Sequence, residues 1–310
     1  MSNYILGGGP AGLIAAYYLD DHKVIDKNPL GQLNLPFIPG PRLLQYTKNM
    51  DNFIKEIFPD KEISYEVATI GFNENNIVTD MPSKNFRKLY SKKTRGTDKS
   101  ESSFLSEGMT EIRHIEIADY GEDSYKILFT KLLEIIKKRE QLIDTTVKNI
   151  DVRNKVITFD DETESEYHHI ISTLNLNILR KINTIFDVDF DLSTSKKCFY
   201  QTEYKNDIKE SYDKNHPSLW YDYVYSSDTD WTRQTFFRDY IVYESAEPIE
   251  GDSIQGNKVL MKFENLPIQI KKSIDVRKID GMDMLGRFAQ WSHRMKANEV
   301  LDRVLELKNG

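Results

Sequence analysis

The sequence predicts an α/β fold, with a βαβ unit at the N-terminal end and a smaller mixed α+β domain beside it. Three observations predict it. A short apolar run, Asn3 to Leu6, leads into a glycine-rich turn and then an Ala/Leu/Tyr helix. A strongly amphipathic segment, Ser124 to Arg139, is followed by three short β-prone runs separated by turn residues. The segment from about Glu299 to Leu307 is helical again, which places both ends of the chain in one domain and the middle in another.

In order, Asn3 to Leu6 reads as a buried strand and Ala11 to Leu19 as a helix. Lys23 to Ile25 is a second strand, reached through a turn at Asp20-Asp21-His22. Leu43 to Phe58 has helical spacing and stops at Pro59. Residues 76–114 are polar, with little periodicity before Phe104 to Glu116; loops and short helices are expected, with the basic run Lys84 to Arg95 a solvated loop face. In Ser124 to Arg139, residues Ile127, Leu128, Leu132, Ile135 and Ile136 fall near one helical face. Thr145 to Ile150, Lys155 to Phe159 and Tyr167 to Thr173 are strands, with turns at Asn154 and Asp160-Asp161. Cys198 to Lys262, rich in Tyr, Phe, Trp and Val, is β-rich. The expected partition is a discontinuous domain of residues 1–75, 115–180 and 275–310, with a second domain of residues 76–114 and 181–274.

Composition narrows the function classes. With 39% hydrophobic and 29% charged residues, the 310-residue chain can bury a core and keep a polar surface. No apolar run reaches the roughly 18 residues needed to span a bilayer, and Gly7-Gly8-Gly9-Pro10 breaks the N-terminal apolar stretch, so no secretory leader is expected. One cysteine, Cys198, excludes an intramolecular disulfide and a multi-cysteine metal site, which places the chain in a reducing compartment, most simply the cytoplasm. A net charge of −7 argues against a nucleic-acid footprint. His168 and His169 are adjacent on a strand and point to opposite faces, so no metal site is expected there.

Gly7, Gly9 and Gly12, with Pro10 and Ala11 between them, fit G-x-G-x-x-G directly after a strand and at the start of a helix. Gly7 permits the tight turn, Gly9 lets a pyrophosphate approach the backbone, and Gly12 lets the helix pack closely on the strand. The helix N-terminus then offers free N–H groups and partial positive charge to phosphate. Asp26, at the end of the next strand, is placed to accept hydrogen bonds from ribose hydroxyls. The ligand expected from these residues is a dinucleotide.

The residues after Asp26 distinguish among dinucleotides. Lys27, then Gly31 and Gln32, then Phe37 to Pro41 resemble the extended fingerprint of the glutathione-reductase-like FAD superfamily, with Leu30 standing where a first glycine is usual. Thr145 to Leu174 resembles that family's β-meander, which implies Val147 beside the adenine and Thr173 and Leu174 near the dinucleotide. Gly286-Arg287-Phe288-Ala289, with Trp291, is similar to its last FAD segment. The order of segments is most like the branch holding UDP-galactopyranose mutase, protoporphyrinogen oxidase and the amine oxidases. The resemblance implies FAD as cofactor and a Rossmann-like FAD-binding domain with a β-meander. It also implies that Gly40-Pro41 turns beside the flavin, with Arg42 a candidate catalytic residue.

For substrate, Trp231-Thr232-Arg233 to Arg238 sets arginines among aromatics; Arg233 is the stronger candidate for gripping an anionic or carbonyl-bearing small molecule. The chain carries no second G-x-G-x-x-G for a nicotinamide cofactor and no redox cysteine pair. Three functions follow from the resemblance: an amine-oxidase-like flavin oxidoreductase, a mutase-like non-redox flavoenzyme acting on a nucleotide sugar, and a flavin-binding protein without catalysis. The first is the preferred expectation.

Overall fold

A computed structural model of the chain describes residues 1–35, 43–75, 77–94, 111–120, 123–183, 192–203, 223–236, 240–270, 274–292 and 295–309. Strand β1 (Ser2–Leu6), helix α1 (Pro10–Tyr18) and strand β2 (His22–Ile25) form the expected parallel βαβ unit, with Tyr4 beside Lys23 and Leu6 beside Ile25. After a 3₁₀ turn at Gly31–Asn34 come β3 (Leu44–Gln45) and α2 (Lys48–Ile57), so the single helix expected over Leu43 to Phe58 is a short strand followed by a helix. The Thr47 hydroxyl accepts the Met50 N–H at 3.1 Å and fixes the helix start.

Next are β4 (Ile63–Glu74), β5 (Ile77–Thr79), α3 (Lys84–Lys93) and β6 (Glu111–Ile117). The basic run expected as a loop face is therefore a helix. Ser83 caps it by accepting the Phe86 N–H at 2.9 Å, and Phe86 and Tyr90, one turn apart, are buried. The chain continues through α4 (Ser124–Lys138), β7 (Leu142–Ile143), β8 (Val147–Asp151), β9 (Val156–Phe159), β10 (Glu164–Ser172) and α5 (Leu176–Ile182). Strands β11 (Thr194–Glu203), β12 (Tyr223–Ser226), β13 (Arg233–Phe236) and β14 (Tyr240–Ser245) follow, then β15 (Ser253–Ile254) and β16 (Asn257–Ile270). The last elements are β17 (Lys278–Ile279), β18 (Met282–Met284) and α6 (Ala297–Asn309).

Two sheets result. The first runs β17-β18-β10-β1-β2-β7, and β8 and β9 form an antiparallel meander that delivers the chain into β10, parallel to β1. Side chains of β1 alternate between its faces. Ile5 joins a core with α1, α2, α4 and α6, through Leu13, Phe53, Leu132 and Leu301. Tyr4 and Leu6 join a second core with the meander and the C-terminal segment, through Ile157, Met284 and Trp291. The second sheet runs β15-β16-β11-β14-β13-β12-β4-β6-β3. β3, β4 and β6 are members of it, whereas the sequence-based partition assigns residues 1–75 and 115–180 to the first domain. Leu44, Ile115 and Ile117 of these strands also enter the α1/α4 core.

Candidate functional site

The glycine turn is built by mutual exclusion of side chains. Gly7 has φ +101°, and a Cβ there would stand 2.5 Å from Thr173 Oγ1. A Cβ on Gly12 would stand 1.9 Å from the Gly7 carbonyl oxygen, so α1 can lie this close to β1 only with glycine. Gly9 is different. A Cβ built there meets nothing within 4 Å, and Gly9 is the N-cap of α1, which has no side-chain cap and carries Pro10 in its first turn. Open space thus stands in front of uncapped N–H groups, the arrangement that receives phosphate.

Neighbouring segments lock the turn in place. Thr173 donates its N–H to Leu6 O at 2.8 Å and its hydroxyl to Leu6 O at 2.8 Å and Gly7 O at 3.0 Å. Leu174 lies beside Gly7 and packs on the meander core. Gly286, at φ +95°, approaches Ala11 so closely that a Cβ would stand 2.9 Å from the Ala11 Cβ. The C-terminal segment is thereby pressed on the first turn of α1. Phe288 O accepts the Leu176 N–H at 3.1 Å, and Arg287 is half-buried. Val147 is buried at the start of the meander.

Asp26 holds the turn from the other side. Its Oδ2 accepts the Gly8 N–H at 2.5 Å and its Oδ1 accepts the Asn28 N–H at 2.7 Å. A carboxylate oxygen has a second lone pair, so both oxygens retain acceptor capacity for a hydroxyl. Lys27 points away, to Asp160 at 3.5 Å on the surface. Leu30 has φ +76°, a left-handed conformation that glycine adopts most readily, and its side chain is buried with Leu33 in the first core. Gly31, at φ +54°, opens the 3₁₀ turn that contains Gln32. Gly40, Pro41, Arg42 and Arg238 lie outside the described residues.

Arg233 lies on the second sheet with its side chain buried. Its Nη2 donates to Glu244 Oε2 across the β13–β14 pair, and its Cζ lies 5.8 Å from the Tyr225 ring centroid. Glu244 Oε1 also accepts from Lys197 Nζ on β11. Tyr225 belongs to an aromatic cluster with Phe72, Phe86 and Tyr90, and Leu43, the residue after Arg42, packs against that cluster. Burial raises the Tyr225 and Tyr90 hydroxyls above their ordinary value. Lys197 and Glu244 were not singled out from the sequence. A charge inside β-prone runs such as Tyr240 to Ser245 was the available signal.

The remaining chemistry-bearing residues sit elsewhere. His168 is exposed, whereas His169 bonds His22 Nε2 at 3.1 Å and Asp283 at 2.9 Å, at the end of the sheet opposite the glycine turn. Burial lowers the His22 ring, against the opposing pull of Asp21. Among the described residues no group of three or more His, Cys, Asp or Glu is placed to hold a metal ion. No described helix is long and apolar enough to cross a membrane. Cys198 is buried in an apolar cluster of the second sheet.

No family model and no curated relative matches the chain. Solved structures do. A reduced UDP-galactopyranose mutase superposes with a TM-score of 0.66 at 11% identity, over 99% of this chain and 96% of the other. A putrescine oxidase redesigned in its cofactor binding gives 0.61 at 8% identity, over 100% and 99%. A flavoprotein/dehydrogenase from Cytophaga hutchinsonii gives 0.57 at 11% identity, over 99% and 76%. The chain has the α/β fold of these proteins, with a Rossmann-like unit and its β-meander.

Proposed function

We propose that the chain is an FAD-dependent oxidoreductase, amine-oxidase-like, acting on a small polar or anionic molecule. The observation that carries the cofactor reading is the open space at Gly9 in front of the uncapped α1 N-terminus, flanked by Asp26. The residues fit a dinucleotide: Gly9, Pro10, Ala11 and Gly12 would receive the pyrophosphate, Asp26 a ribose, Val147 the adenine, and Gly286 to Phe288 would close over the phosphates from the C-terminal side. Thr173 and Leu174 would keep the turn in register, while Gly31, Gln32, Gly40 and Pro41 would lead the chain toward the flavin. Bound FAD would supply two-electron redox chemistry. The chain's own part is to hold it, and to present Arg233 and Arg42 to the substrate. On this reading the cofactor domain is centred on the first sheet, and the substrate face belongs to the second.

The likeness to the putrescine oxidase fold supports oxidation as the reaction class, and the likeness to the mutase fold keeps a non-redox use of the flavin as the second reading. The test is spectroscopic. The purified protein is expected to show a flavin spectrum and to release intact FAD on heating. Anaerobic mixing with amines is then expected to bleach the spectrum. Turnover of a nucleotide sugar only after chemical reduction supports the second reading instead. A protein that takes up no FAD on reconstitution, while binding NAD, overturns both.

A further inference from the structure

Strands β13, β14 and β11 are adjacent, and their register places Arg233 beside Glu244 and Glu244 beside Phe199. Lys197 lies two residues before Phe199 and so shares its face. The result is one carboxylate gripped by two cations, with side chains 3% exposed at Lys197, 3% at Glu244 and 11% at Arg233. Among the described residues neither cation has a second carboxylate partner. Among the described residues the two cations are thus matched by one carboxylate, and an unmatched cation out of water is costly.

The donors are unevenly used as well. Arg233 Nε is buried with no hydrogen-bond partner among the described residues, and Lys197 Nζ spends one of its three N–H groups on Glu244. A purely structural pair would need only one cation. Tyr225 lies within hydrogen-bonding reach of Arg233, and burial keeps its hydroxyl protonated. Arg233 is the most exposed of the three.

We infer that Lys197 and Arg233, with Glu244 held between them, form the receptor for an oxyanion of the substrate, a carboxylate or a phosphate. The inference rests on the reading of Arg233 as a substrate residue and names two partners for it. Lys197 binds the anion directly. Glu244 is a positioning residue that keeps the two cations apart and oriented while the receptor is empty.

The experiment titrates the protein as purified with acetate, inorganic phosphate and pyrophosphate at constant ionic strength, which removes the contribution of surface screening. Calorimetry reads affinity and absorbance reads flavin content. Saturable binding of one anion per chain is expected. Lys197→Gln should weaken it about ten- to hundredfold, the loss of a hydrogen bond to a charged group. Lys197→Arg should stay near the parent, and both should keep the parent's flavin content. Glu244→Gln should bind the anion more tightly, because the competing carboxylate is gone, and its melting temperature should rise more steeply with anion than the parent's. Preference for acetate identifies a carboxylate, and preference for phosphate or pyrophosphate a phosphate. Equal affinity in the parent, Lys197→Gln and Lys197→Arg overturns the receptor, as does equal loss in both variants. A colourless parent that still binds the anion through Lys197 would remove the cofactor reading and leave the receptor standing.

Discussion

Gly9 and Gly12 stand in one turn, yet valine at the first and alanine at the second should fail for opposite reasons. Gly9 has φ −73° and ψ −179°, a backbone open to any residue, and a Cβ there has free space. Gly9→Val should thus cost the cofactor-free fold only about 1 kcal/mol, the penalty of a poor N-cap residue. Its isopropyl group would stand where a pyrophosphate must come. Two backbone N–H bonds to a charged ligand, at about 1.5–3 kcal/mol each, would be lost, roughly two to four orders of magnitude in affinity. Gly12→Ala inverts the pattern. Its Cβ would stand 1.9 Å from the Gly7 carbonyl oxygen, so α1 has to lift from β1. Overpacking of this kind costs about 1–3 kcal/mol, and more where backbone meets backbone. Circular dichroism melts of cofactor-free protein and fluorescence titration with FAD separate the two. Parent-like FAD affinity in Gly9→Val would refute the placement of the phosphate, and a parent-like melt in Gly12→Ala would refute the tight contact.

Gly286→Val should lower FAD affinity and the melting temperature together, because its Cβ would press on Ala11 at 2.9 Å; a variant that melts and binds like the parent counts against the C-terminal clamp. Arg233→Ala should keep FAD but lose anion-induced changes in the flavin spectrum, and Arg233→Lys should recover part of them because it keeps the charge without the planar fork. Identical anion-induced shifts in parent and Arg233→Ala would retire that assignment. Lys93 is pushed down to about 8 from an ordinary 10.5 by burial, where it donates to Ser226 O at 3.1 Å and Trp231 O at 2.5 Å. Between these values unfolding lets Lys93 take up a proton that the folded chain has lost, so the contribution of Lys93 to stability should rise as pH climbs from about 8 to 10.5. That slope should be smaller in Lys93→Met; melts across the window that superimpose in slope would show that Lys93 is not its source.

Some of this architecture is written in local pattern and some is not. β1, α1 and β2 are legible because the apolar period changes at a glycine turn whose residues have no alternative use. The meander is legible because Asn154 and Asp160-Asp161 punctuate it. β4 was missed for a physical reason: Ser64 to Val67 are exposed, and the alternation of a buried face begins only at Ala68. α3 was masked by its charge, since lysines outnumber the two aromatic anchors that seat it. The sheet membership of β3, β4 and β6 depends on pairing with distant strands such as β12, which no local period reports. The same holds at the site. Gly7, Gly9, Gly12 and Asp26 announce themselves, whereas Lys197 and Glu244 acquire meaning only when three strands bring them to one face.

The clamping of Gly286 on Ala11 and the seating of β10 beside β1 also set a schedule for biosynthesis. β1 buries Ile5 and Leu6 completely, but its parallel partner β10 follows only at residues 164–172. At about 5–20 residues per second, the ribosome delivers that partner on the order of ten to thirty seconds after β1 has emerged. The helix that closes the far side of α1, residues 297–309, comes later still. During that interval an apolar strand has β2 beside it and an open edge, the feature that recruits foreign strands. A strand made this early is therefore kept waiting for a partner made much later. Yield on expression should depend on translation speed and on helper proteins that shield a waiting strand.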